Sequence, residues 1–84
     1  GEMEMYSTTI AIPDLEAAKK FVNISGKYSN HVIRLKCDHY VIDAHSIMGI
    51  ISLDKTKPIV LEAEGTVPSE FITDIAPFQT NDTK

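Results

Sequence analysis

Residues 31–53, "HVIRLKCDHYVIDAHSIMGIISL", decide the fold. Ile33, Leu35 and Cys37 alternate with Arg34 and Lys36, the period-two pattern of a strand with one face buried. Asp38-His39 reads as a tight turn, and "YVIDA" resumes the alternation with Tyr40 and Ile42 inward, so a hairpin is predicted. Then the period changes. Ser46 reads as the N-cap of a short helix, its hydroxyl accepting from the amide of Met48 or Gly49. Ile47, Ile50 and Ile51 are expected to face the sheet. Met48 is left on the open side, and Gly49 is read as a place where a partner approaches the backbone closely.

Working outward from this stretch, residues 4–12, "EMYSTTIAI", alternate as a strand with Tyr6, Thr8, Ile10 and Ile12 on one face. Pro13 sets up a helix whose first turn holds Asp14 and Glu16, where negative charge suits the helix dipole. Leu15, Ala18, Phe21, Val22 and Ser25 recur at helical spacing, and Lys19, Lys20 and Asn23 fall on the other side. Gly26 is the expected stop, and Glu16 with Lys20 reads as an i,i+4 surface pair. Tyr28 is expected to pack over the end of this helix. Pro58 opens a strand with Ile59, Leu61 and Ala63 inward. Pro68 begins a last helix carrying Phe71, Ile72 and Ile75. Pro77 ends it, leaving "QTNDTK" as a frayed tail. The order is βαββαβα. It predicts an α+β open-faced sandwich, a four-stranded antiparallel sheet with three helices on one face. One domain over 1–84 is expected, with its core in 4–76 and a tail over 77–84.

Composition narrows the function. An apolar fraction of 43% in 84 residues is that of a globular chain rather than a disordered one. Cys37 is the lone cysteine, so no internal disulfide forms and a reducing cytoplasm is the expected compartment. The longest apolar run, Ile47–Ile51, is far below the roughly 20 residues that span a bilayer. No basic-then-apolar leader is seen, and Gly1 reads as a cloning remnant. Twelve acidic and 8 basic residues give a net charge of −4 without a Lys/Arg cluster, which argues against nucleic acid and anionic membranes. The expected partner is another protein, with the chain a monomer or weak dimer. Cys37, His39, His31 and His45 lack the paired spacing of a metal site, so no metal and no cofactor are expected.

The element order, with "SIMGIISL" opening the second helix, resembles the HPr phosphocarrier family of the bacterial sugar phosphotransferase system. The likeness spans residues 4–76 in element order and is sharpest over 27–53. It implies two functional positions. One is a histidine at the tip of the first helix, followed by an arginine, which takes a phosphoryl group from a phosphoenolpyruvate-dependent kinase and passes it to sugar transporters. Here "IPDLEAAKKFV" puts Asp14 and Glu16 at about those places, and no His or Arg stands between Pro13 and Asn30. Like charge would repel an incoming phosphate. The other position is a serine opening the second helix, phosphorylated by a dedicated kinase as a regulatory mark, and Ser46 matches it. On the residues alone Ser46 is a plain N-cap; a phosphate there would face the first-turn amides at little cost.

The resemblance thus implies a cytoplasmic regulatory protein of the sugar phosphotransferase system, with no catalysis of its own. It would meet a serine kinase and phosphatase and a transcriptional or metabolic regulator, and Ile47, Met48, Gly49 and Ile51 are the expected contact residues. His45 could pair with a phosphate on Ser46. Two alternatives stand beside this reading. One is a non-phosphorylated interaction module on the same fold. The other is a residual phosphoryl carrier using a non-standard acceptor such as Asp14 or His45. The stretch before the last strand is shorter than usual for the family.

Overall fold

A computed structural model describes residues 5–53 and 56–80. The elements are β1 (Met5–Ile10), α1 (Leu15–Gly26), β2 (Ile33–Cys37), β3 (Tyr40–Asp43), α2 (Ile47–Ile51), β4 (Ile59–Glu64) and α3 (Ser69–Ile75), then a 3-10 turn, Ala76–Phe78. The sheet is antiparallel throughout, in the order β1-β4-β2-β3. This is the α+β open-faced sandwich that the alternation predicts.

One face of the sheet makes the core. Ile33, Leu35 and Cys37 of β2 and Ile59, Leu61 and Ala63 of β4 are buried beneath the helices, with Phe21, Ile50, Phe71 and Ile75 coming down onto them. Burying each large apolar side chain stabilises by roughly 1.5–3 kcal/mol, which lets a short chain without a disulfide hold together. The opposite face is charged. Arg34 pairs with Glu64, and Lys36 lies 3.3 Å from Glu62.

Several expectations need correction. The first strand closes at Ile10, not Ile12, although Ile12 remains buried. Leu15, in the predicted apolar stripe of α1, is 49% exposed. Tyr40, predicted inward, is 68% exposed, because β3 is the edge strand and the cover over it is thin. Ile51 and Ile72 are also partly exposed rather than wholly core. Glu16 meets Lys19 at 3.9 Å, one residue short of the Lys20 pairing expected. Gly26 ends α1 without a left-handed cap, since Lys27 closes the helix at φ −73°. Left-handed backbone occurs instead at Asp38 (φ 59°), in the β2–β3 turn, and at Gly65 (φ 78°) after β4. Asp is among the few residues that tolerate it.

The largest revision lies at the C-terminal end. Pro77 falls within the first turn of the 3-10 helix, where its missing N–H costs nothing. Phe78 packs edge-on against Phe21, 5.6 Å between centroids. Ala11 N donates to Phe78 O at 2.8 Å and Thr80 N to Thr9 O at 3.1 Å. Residues 77–80 are therefore part of the fold rather than a tail. Residues 81–84 lie outside those described.

Candidate functional site

The two candidate positions sit at the tips of α1 and α2, and the tips differ. At α1, Asp14 is the N-cap in extended conformation (φ −151°), and its carboxylate accepts from Ala17 N at 2.9 Å. Ala18 N donates to Asp14 O at 3.0 Å. Asp14 and Glu16 are both exposed. An anion already belongs to the chain here and already takes an amide that an incoming phosphate would use.

At α2 the cap is neutral. Ser46 is exposed, with φ −99° and ψ 107°, and its Oγ accepts from Gly49 N at 3.2 Å. Its own backbone is held on both sides, with Ser46 N donating to Asp43 O at 3.0 Å and Ile50 N to Ser46 O at 3.1 Å. Asp43 also turns its carboxylate back to accept from His45 N at 2.8 Å. The hydroxyl is therefore reachable on a backbone that is fixed.

What fixes that backbone comes from α1. Ser25 is fully buried, and its hydroxyl reaches both Val22 O and Ala44 O at 3.0 Å. Sequence placed Ser25 inward but gave no sign of its partner, which is 19 residues away. A second long-range tie joins α1 to α3. Tyr28 donates to Asp74 at 2.8 Å, and Lys27 meets the same carboxylate at 3.0 Å. Burial and the Asp74 bond push the Tyr28 hydroxyl up to about 12, aided by the charges of Asp74 and Glu70. Lys27, then Tyr28, hydrogen-bond to Asp74 and hold its carboxyl below the usual range. Tyr28 thus packs over the end of α1 as expected, and against Phe71 as well.

Around Ser46, Met48 is 74% exposed and Ile51 39% exposed, whereas Ile47 is partly buried against the core. Gly49 does allow a close approach, but the neighbour it admits is Ile42 of β3. A β-carbon there would stand 3.3 Å from Ile42 Cδ1 and 3.3 Å from Ser46 Oγ. His45 is half-buried, with its Nε2 enclosed and without a hydrogen-bond partner among the described residues. That nitrogen is not at the surface beside Ser46. Cys37 is buried and His39 exposed, on either side of Asp38. Among the described residues no group of three or more His, Cys, Asp or Glu could hold a metal ion, and no helix is long and apolar enough to cross a membrane.

No family model matches the chain, and no curated protein matches it. Among solved structures, it is similar to the crystal structure of a phosphocarrier protein HPr from Bacillus anthracis strain Ames. Identity is 20% and the TM-score 0.68, over 95% of this chain and 100% of that one. What the two share at that identity is the architecture, and the chain has the HPr-like fold.

Proposed function

We propose that this chain is a cytoplasmic HPr-like regulatory protein, marked at Ser46 by a serine kinase, that does not relay phosphoryl groups through α1. One observation carries the reading: an exposed neutral hydroxyl caps α2, whereas a carboxylate caps α1. Phosphoryl carriage at the first tip needs a nucleophilic nitrogen and a cation to hold the anion. The chain has no His or Arg between Pro13 and Asn30, and Lys19, Lys20 and Lys27 all lie past the first turn of α1. At the second tip the serine oxygen bonds to the γ-phosphorus of ATP, ADP leaves, and the hydroxyl proton passes to a base of the kinase. The phosphate brings about −1.5 to −2 charges beside a contact surface led by Met48 and Ile51. A regulator docking there reads the apolar pair together with the new charge. The chain performs no catalysis itself. A second reading, an interaction module without phosphorylation, is favoured by the exposure of Met48 alone.

The test exposes the chain to two donors and reads intact mass. With ATP and the serine kinase of the sugar phosphotransferase system, one phosphate is expected, and none in Ser46→Ala. With phosphoenolpyruvate and its phosphotransferase enzyme, no gain is expected. An acid-labile or hydroxylamine-labile phosphate from phosphoenolpyruvate overturns the proposal in favour of carriage. No gain from either donor leaves the interaction module.

A further inference from the structure

A groove of about 590 Å³ opens between α1, α3 and the 3-10 turn, within the roughly 300–1,000 Å³ of small-molecule sites. Its apolar lining is Ile24, Pro77 and Phe78, and its charged groups are Lys20, Lys27 and Asp74. Lys20, Ile24 and Lys27 recur at helical spacing, so one face of α1 forms a wall. The opposite wall comes from the 3-10 turn, which carries Pro77 and Phe78 back to α1, where Phe78 packs on Phe21.

The charged groups are not equally spent. Tyr28 and Lys27 both bond to the same Asp74 oxygen, Oδ2, and Oδ1 accepts from no group among the described residues. Lys20 is exposed and forms no ion pair among the described residues. Glu16, one turn before it, meets Lys19 instead. The groove therefore holds an unused cation at one end and an unused acceptor at the other. Lys20 and Lys27 stand two turns apart along α1, about 10 Å, and Asp74 sits beside Lys27. Two ammoniums against one carboxylate leave one positive charge in excess, on a chain whose net charge is −4. One anionic group on the occupant matches that excess. The end at Asp74 takes a neutral donor, since Lys27, 3.0 Å from Oδ2, repels a cation and Asp74 repels a second anion.

We propose that this groove binds a small apolar monocarboxylate with a hydroxyl at its far end. The carboxylate pairs with Lys20, the hydroxyl donates to Asp74 Oδ1, and a ring between them lies on Ile24, Pro77 and Phe78. The site is separate from Ser46 and does not rest on its phosphorylation.

Amide spectra of the full chain, titrated with p-hydroxyphenylpropionate, test it. Saturable shifts are expected at Lys20, Ile24, Asp74 and Phe78, with a dissociation constant on the order of 1 mM, as suits so small a ligand. Phenylpropionate, which lacks the hydroxyl, should bind roughly fivefold more weakly. Tyramine, with an ammonium in place of the carboxylate, should leave the groove unshifted. Lys20→Gln, at an exposed position, should keep the spectrum of the folded chain and weaken the hydroxy acid roughly fivefold. Absence of saturable shifts in the groove overturns the proposal. So does an affinity for the hydroxy acid that is matched by phenylpropionate, matched by tyramine, or unchanged in Lys20→Gln.

Discussion

Replacing Ser25 with alanine is expected to cost about 2 kcal/mol of stability. Its hydroxyl is fully buried and reaches Val22 O and Ala44 O, both at 3.0 Å. A net hydrogen bond contributes about 1 kcal/mol, and leaving a buried carbonyl short of a partner adds roughly another. Ala44 is itself fully buried, so water cannot step in. In a domain of this size that loss lowers the melting temperature by roughly 8–16 °C. Ser52 supplies the control. Its Oγ donates to Gly49 O at 2.7 Å, a shorter bond, but on the surface. Ser52→Ala should stay within about 0.5 kcal/mol, because water replaces the lost partner. Urea unfolding followed by circular dichroism gives both values. Equal costs in the two variants, or a Ser25→Ala cost below about 0.5 kcal/mol, would refute the claim that burial sets the worth of these bonds. Amide exchange around Ala44–Ser46 should speed up in Ser25→Ala only, since that bond ties the segment before Ser46 to α1.

Ser46→Ala should lose about 1 kcal/mol of cap energy in urea unfolding, while Ser46→Asp keeps the cap and stays near wild type. Gly49→Val should destabilise by roughly 1–3 kcal/mol in the same assay, because even a β-carbon there stands 3.3 Å from Ile42 Cδ1; a neutral result would show that β3 yields easily. The Tyr28–Asp74 tie makes stability fall at both ends of the pH scale. Asp74 has a lowered folded value, so its contribution is present above the unfolded carboxyl range, near 3.9, and is lost as pH drops through the folded one. Tyr28 is raised to about 12 from 10.0, so its contribution is full below pH 10 and is lost as pH climbs toward 12. Melting temperature against pH should show both limbs, and Tyr28→Phe should lack the alkaline one.

The strands were legible because one sheet face is buried and alternation reports that directly, as in Ile33, Leu35, Cys37 and again in Ile59, Leu61, Ala63. The cap at Ser46 was legible because capping is local. Tyr40 lies on the predicted face, opposite Cys37, yet is exposed, because alternation gives a residue's face but not whether anything covers it, and β3 lies at an edge. The space beside Gly49 is filled by Ile42 rather than left for a partner, and sequence spacing does not reveal that neighbour. Pro77 does stop an α-helix, yet a 3-10 turn accepts it, and Phe78 behind it supplied an aromatic anchor that a frayed tail would not need. The ties from Ser25 to Ala44 and from Tyr28 to Asp74 link distant parts of the chain. No local pattern carries them.

The contrast between the two helix tips is tested most directly by amide spectra recorded before and after treatment with ATP and the serine kinase. The account predicts a single phosphate, with shifts at Ser46, Ile47, Met48 and Gly49 and none at Asp14–Ala17. A chain left unmodified at Ser46, or a phosphate whose shifts centre on Asp14–Ala17, would contradict it.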